Sequence, residues 1–293
     1  MAPSGPVQAG RLDAGLAVLR GWGLEPVVYP HVRDVGEVPY LAGDDGGRAS
    51  DVEEAWCDAS IAAVLSARGG FGAQRIVELL DWERMARAGP KVFVGFSDAT
   101  ALHEAIAARL GLATLYGPMV AAEAFVTDAA TQEHLRATLF APESVRALSP
   151  RTARTLVGGR AAGVTVGGCL TLLTTDLGTP SARSTVAGGI LLLEDVAVDP
   201  YELDRGLTQL TRAGVLDGVA GIAVGSFSGY EPYDDLGAVL VARLGPLGVP
   251  VVDEVGFGHG PSSLTIPLGV RCVLDADARR LTFELPALAA ARG

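Results

Sequence analysis

An α/β architecture with parallel sheets in two domains is predicted for this chain of 293 residues by three observations. Short apolar runs rich in β-branched residues alternate with longer helical patterns, the signature of strands joined by crossover helices. The length is about twice that of a common domain. Between Phe140 and Gly163 the pattern loosens into Pro, Ser, Arg and Gly without strong periodicity, as an exposed crossing between domains would.

Along the chain, a helical pattern over about Arg11–Trp22 precedes a strand pattern at Pro26–Tyr29. A helix near Asp51–Cys57 leads into a strand over Ile61–Ser66, then the glycine-rich Arg68-Gly69-Gly70-Phe71-Gly72 and a helix through Ile76 and Leu80. The same plan recurs as a strand at Lys91–Gly95, a turn at Phe96-Ser97-Asp98 and a helix from about Ala99 to Leu110. The loosened stretch then separates a first domain, 1–145, from a second, 163–293, with 146–162 as linker. In the second domain a helix follows Gly167-Gly168 and the apolar run Gly189–Leu193 reads as a buried strand. A helix is expected around Leu203–Ala213, a strand at Val219–Val224, a helix near Leu236–Leu244 and a strand at Val249–Val252. The tail from Leu264 to Leu285 alternates like hairpin strands.

Composition narrows the function. Apolar residues form 49% of the chain and charged ones 19%, enough to fill a core and too apolar for disorder. A formal charge of -11 disfavours nucleic acid and anionic membranes, which require a surplus of Lys and Arg, and points to small-molecule partners. The three cysteines, Cys57, Cys169 and Cys272, are widely spaced and form no CxxC pair, so neither a disulfide framework nor a metal site is expected. With no basic-then-apolar leader at Met1–Val7 and no apolar run long enough to span a bilayer, a cytoplasmic protein without cofactor is expected.

In an open parallel sheet, ligands bind beyond the carboxyl ends of the strands, so the residues there carry the chemistry. Four strand ends stand out: Arg68–Gly72, Ser97, Glu194 after Leu191-Leu192-Leu193, and His259 within Gly256-Phe257-Gly258-His259-Gly260. A serine between strand and helix can be a nucleophile held clear of the sheet, although Gly95-Phe96-Ser97-Asp98-Ala99 departs from GxSxG and a Ser-Asp pair also caps helices. Glu194, or Asp195 beside it, can orient an imidazole and stabilise its protonated form. Of the four histidines, His103 and His134 fall inside helical patterns and His31 has no carboxylate nearby in sequence. His259, among glycines, is left as the base, with a pKa suited to neutral pH. The order serine, acid, histidine matches that of α/β-hydrolases. Arg68–Gly72 lacks the phosphate-binding patterns and is better suited to an oxyanion site, with the backbone N–H groups of Gly70 and Asp98 as donors.

Five blocks, in order, resemble the LD-carboxypeptidase family of serine peptidases, which includes murein tetrapeptide carboxypeptidases and microcin C immunity proteins. They are Ala67–Ala73 with Leu79-Leu80-Asp81-Trp82; Val94–His103; Tyr116-Gly117-Pro118-Met119; Leu193-Glu194-Asp195-Val196 with Tyr201 and Asp204-Arg205; and Gly256–Gly260. The resemblance implies Ser97, Glu194 and His259 as a triad, a Rossmann-like layered N-terminal domain, and a smaller C-terminal β/α domain that supplies Glu194 and His259. It further implies cleavage of an L,D-amide, such as the terminal D-alanine of a cytoplasmic murein tetrapeptide, without metal and as a homodimer. A carboxypeptidase needs a cation for the substrate carboxylate, for which Arg68 and Arg205 are candidates. Two departures bear on this reading. The family opens with a strand leading into what stands here as Ala2–Pro6, so the first strand is expected to be missing. Its Gly-Gly-Asn-Leu stands here as Gly167-Gly168-Cys169-Leu170, which removes an amide donor and acceptor. The alternatives are a hydrolase of aminoacyl-adenylate analogues and a catalytically silent small-molecule binder in the same crevice.

Overall fold

Residues with apolar side chains at every position become strands covered on both faces, and those with an apolar stripe become the helices that cover them. In the computed structural model, which describes residues 1–288, this sorting builds two sheets; the last five residues of the domain expected over 163–293 lie outside the described residues.

The N-terminal half opens with α1 (Ala9–Gly21), which buries Leu12, Leu16 and Leu19 along one stripe. Next comes α2 (Asp45–Cys57), longer than expected because Asp44 caps it by accepting the Gly47 N–H at 2.7 Å. The strand β1 (Ala63–Leu65), the short α3 (Ala73–Ile76), α4 (Trp82–Ala88) and β2 (Val92–Gly95) follow. A 3-10 turn over Ser97–Ala99 then feeds α5 (Thr100–Leu110), and β3 (Thr114–Tyr116) completes this part of the sheet. After it come α6 (Glu123–Thr127) and α7 (Ala129–Phe140). β1, β2 and β3 are parallel neighbours, as the alternation of strand and helix predicted.

The C-terminal half contains β4 (Ala147–Leu148), β5 (Arg154–Val157), β6 (Arg160–Cys169), α8 (Leu170–Thr175) and β7 (Gly189–Val196). It continues with α9 (Pro200–Arg212), β8 (Gly221–Ser228), α10 (Tyr233–Leu244), β9 (Val251–Asp253), β10 (Ile266–Leu268), β11 (Arg271–Asp275) and β12 (Arg280–Phe283). The second sheet has the order β4-β12-β11-β6-β7-β8-β9-β5, with a parallel centre, β6 to β9, flanked by antiparallel strands.

Three expectations are corrected. Pro26–Tyr29 forms no strand: residues 1–5 run along β1 instead, where Met1 N donates to the Leu65 carbonyl at 3.3 Å and the Ala67 N–H to the Met1 carbonyl at 2.8 Å. Val27 and Val28 are left exposed, because β-branched residues make a strand only where an edge is open to them. Residues 146–162 are not a free crossing: they supply β4, β5 and the start of β6 to the second sheet. Finally, β10 does not pair with the hairpin tail; it joins the first sheet antiparallel to β3, so that sheet reads β1-β2-β3-β10. No start of a strand pattern marks such a swap, since pairing partners are chosen by tertiary contacts.

The centre of the second sheet is the Gly189–Leu193 run in β7. Ile190 and Leu192 face one core, with Phe96, Tyr116, Phe257 and Ile266. Leu191 and Leu193 face another, with Leu203 and Leu207 of α9 and Leu236 and Leu240 of α10. The first of these cores takes side chains from both sheets, so the halves are joined by apolar packing. Leu192 is fully buried. Leu192→Ala is expected to cost about 2–5 kcal/mol of stability, read as a lower denaturant midpoint with an unchanged slope.

Candidate active site

Ser97 follows β2 on the turn into α5 and has a φ of 61°. Left-handed backbone at a non-glycine residue costs about 1–3 kcal/mol and persists only where its surroundings impose it. Here the turn is held by the Ser97 N–H, which donates to the Tyr116 hydroxyl at 3.1 Å, and by the Ala99 N–H, which donates to the Phe96 carbonyl at 3.2 Å. The turn is so tight that a methyl group on Gly95 would lie 2.8 Å from the Ala99 side chain. The pattern Gly-x-Ser-x-Ala thus makes the sharp strand-to-helix turn despite lacking the second glycine.

Glu194 is fully buried near the carboxyl end of β7, and His259 lies in the loop after β9. That loop is fixed to β8: the Ser226 N–H donates to the Phe257 carbonyl at 2.8 Å and the Ser228 hydroxyl to the His259 carbonyl at 2.9 Å. Gly258, with φ 96°, leaves the space that the carboxylate fills, since a methyl group there would stand 2.5 Å from Glu194 Oε2. The result is an unbroken chain of contacts. His259 Nδ1 is 2.6 Å from Glu194 Oε2, and His259 Nε2 is 3.0 Å from Ser97 Oγ. The other carboxylate oxygen, Oε1, accepts the Tyr116 hydroxyl at 2.5 Å. An ionised Glu194 can only accept, so Nδ1 carries the proton and Nε2 presents its lone pair to the serine.

Burial works against protonation of His259, but the Glu194 charge and its hydrogen bond, with help from Asp195, outweigh it and raise the imidazole pKa above its ordinary value. A base of this kind can take the Ser97 proton and hold it as an imidazolium.

The glycine-rich loop after β1 adjoins the serine. A methyl group on Gly69 would be 3.1 Å from Ser97 Oγ. Gly70 has φ 107°, and neither its N–H nor that of Asp98 is taken up by a hydrogen bond among the described residues. The loop is tied down from below. Asp98, itself buried, accepts the Ala73 N–H at 2.8 Å; the fully buried Arg48 donates to the Gly72 carbonyl at 2.8 Å and also to the Pro3 carbonyl, and pairs with Asp45. Arg48 and Tyr116 escaped reading from the sequence. Arg48 sits in a polar helical stretch that looks like a solvated face, and Tyr116 belongs to a block that had shown resemblance without a role.

Other residues divide. Arg68 is exposed beside Gly69, its guanidinium 2.5 Å from the Pro6 carbonyl, and Arg205 is exposed on α9, 5.3 Å above the Tyr201 ring. Neither is hydrogen-bonded to Ser97, Glu194 or His259 among the described residues. Cys169 lies opposite Glu194 in the β6–β7 ladder, with Sγ 3.4 Å from Asp195 Oδ1. Burial, then the charges of Glu194 and Asp195, push its thiol pKa well above the ordinary value, which keeps it protonated. His103 is a core residue between the Gly95 carbonyl (2.8 Å) and Thr114 Oγ1 (2.7 Å), with burial lowering its pKa to about 4. His134 accepts the Thr265 N–H at 3.1 Å. His31 finds a carboxylate partner distant in sequence: Asp51, twenty residues on, lies 2.8 Å from its Nδ1 because α2 folds back over it.

Residues 1–117 match the LD-carboxypeptidase N-terminal domain and residues 162–274 the LD-carboxypeptidase C-terminal domain. The chain belongs to the LD-carboxypeptidase family. It is 60% identical over 289 residues to a carboxypeptidase-family protein of Streptomyces coelicolor, covering 98% of this chain and 93% of the relative. It is 29% identical over 289 residues to the murein tetrapeptide carboxypeptidase of Pseudomonas aeruginosa, covering 96% of this chain and 93% of the relative. The crystal structure of a muramoyltetrapeptide carboxypeptidase from Oxalobacter formigenes superposes with a TM-score of 0.82 at 30% identity, over 97% of this chain and 96% of that one. This LD-carboxypeptidase homologue is therefore a serine-type carboxypeptidase, a hydrolase with a two-domain mixed α/β fold. No helix among the described residues is long and apolar enough to cross a membrane.

Two outcomes follow from the geometry. His259 can act as a base only when neutral, so a reaction that uses it should show kcat/KM falling on the acid side with an inflection above 6.5, the ordinary imidazole pKa; a pH–rate profile on any turned-over peptide measures it. Gly258→Ala, which thrusts a methyl group at the Glu194 carboxylate, should lower kcat/KM on the order of 100-fold while the melting temperature changes far less.

Proposed function

We propose that Ser97, Glu194 and His259 form the catalytic triad, and that the enzyme releases the terminal D-alanine from a murein tetrapeptide by hydrolysing an L,D-amide bond. The observation that carries this reading is the continuous contact from a strained serine through an imidazole to a buried carboxylate, at 3.0 Å and 2.6 Å. Residues 1–145 then supply the nucleophile and oxyanion loop, and the part from 163 onward supplies acid and base.

In this mechanism Ser97 Oγ attacks the scissile carbonyl carbon while its proton passes to His259 Nε2. The carbonyl π electrons move to oxygen, and the N–H groups of Gly70 and Asp98 receive that charge. The Ser97 N–H is not a donor here, being engaged by Tyr116. As the C–N bond breaks, the imidazolium returns its proton to the departing amine of D-alanine. Water, deprotonated by the same imidazole, then cleaves the acyl-serine ester and restores the hydroxyl. We assign Arg68, exposed beside the oxyanion loop, as the cation that receives the substrate carboxylate, with Arg205, exposed on α9, as the second.

We further propose cytoplasmic action as a homodimer. Support comes from the three thiols, all unpaired, and from the resemblance in sequence. Light scattering at twice 30.1 kDa tests the dimer.

Ser97→Ala should reduce D-alanine release from a murein tetrapeptide by roughly 10⁶-fold without unfolding the protein. Release by that variant at the parent's rate would sink the triad. A parent that spares the tetrapeptide but cleaves an aminoacyl sulfamoyl adenosine would move the substrate to the adenylate class.

A further inference from the structure

The Tyr116 hydroxyl stands where the nucleophile turn, the buried carboxylate and α5 meet. It accepts the Ser97 N–H at 3.1 Å and donates to Glu194 Oε1 at 2.5 Å. The Thr100 hydroxyl, at the start of α5, accepts the Cys169 N–H at 3.1 Å. With the Ser97 N–H directed at the phenol oxygen, the phenol's own proton goes to the carboxylate. The residue is fully buried, and its ring is packed edge-on by Phe96 (6.2 Å) and Phe257 (6.1 Å). A core tyrosine needed only for its ring could be a phenylalanine; this one has a hydroxyl that both accepts from and donates to the site.

We propose that Tyr116 is a positioning residue for hydrolysis: its hydroxyl pins Glu194 Oε1, so that Oε2 faces His259, and at the same time fixes the left-handed turn that presents Ser97. The proposal rests on the triad reading above. It also accounts for a carboxylate held in a fully buried place with both oxygens bonded, since an unmet buried acceptor would cost stability. The titratable groups facing the hydroxyl are Glu194 and Asp195 on β7, Cys169 at the end of β6, His259 in its loop, and His103 of α5, whose ring lies 5.5 Å from that of Tyr116. The His103 ring is neutral and the Cys169 thiol protonated over the working range, so Glu194, Asp195 and His259 set the local charge.

Loss of the hydroxyl leaves Glu194 Oε1 without its donor. More of the carboxylate charge is then available to stabilise the imidazolium, and the His259 pKa rises further. The test is the rate of Ser97 labelling by a fluorophosphonate across pH, on the full chain, for the parent, Ser97→Ala, Tyr116→Phe and a variant carrying 3-fluorotyrosine at position 116. The parent should label and Ser97→Ala should not; a parent that does not label defeats the triad reading, and this proposal with it. Tyr116→Phe should melt close to the parent, label roughly 10–100-fold more slowly and show its acid limb at higher pH. A labelled parent with a Phe variant of equal rate and unmoved acid limb overturns the Tyr116 assignment alone. A slower variant whose acid limb stays in place also overturns it, because a merely structural role would slow labelling without moving the limb. If the Phe variant does not fold, the fluorotyrosine variant decides: a stronger phenol donor draws charge from Glu194 Oε1, so an acid limb moved to lower pH supports the proposal and a parental limb overturns it.

Discussion

The structure depends on one buried negative charge. Glu194 sits at the end of a strand whose neighbours on both faces are apolar, and a carboxylate in such a place survives only if its oxygens are bonded. Each oxygen has its donor, Tyr116 on one side and His259 on the other. The first contact reaches into β3 of the N-terminal sheet and the second into the loop after β9. A group that would destabilise the core if left alone thereby joins three distant segments, and the cost of burying it is offset by the hydrogen bonds to its two oxygens.

That arrangement explains why the two sheets share a core. Phe96, Tyr116, Ile190, Leu192, Phe257 and Ile266 pack together, so the residues flanking the serine, the carboxylate and the histidine belong to one apolar cluster. β10 adds to this, leaving the C-terminal half to pair with β3, the strand that ends in Tyr116. The ends of β2, β3 and β7 converge on Ser97, Tyr116 and Glu194, and apolar packing holds these groups and His259 at hydrogen-bonding distance.

The family likeness and the site chemistry meet unevenly. Cys169 offers a protonated thiol bonded to Asp195, facing inward next to Glu194. It adds no charge and no amide to the crevice. On the exposed side, Arg68 opens the glycine-rich loop, and within that loop Phe71 stacks edge to face with Tyr40 at 5.8 Å.

By itself the sequence determined the parallel α/β plan, because alternating apolar runs and amphipathic helices leave few other ways to bury them. It also offered serine, carboxylate and histidine as candidate site residues, because each stood at a strand end with turn residues around it, and the structure brings the three into contact. The tertiary structure alone decided the partners. Residues 26–29 have strand-like composition but no edge to join, 146–162 look like a linker yet complete a sheet, and β10 crosses to the other half. Arg48 and Tyr116 were hidden for the same reason: a buried arginine or a bridging phenol is defined by carbonyls and carboxylates dozens of residues away. Local pattern records what a segment can form, and only the packed chain settles which hydrogen-bonding groups it will meet.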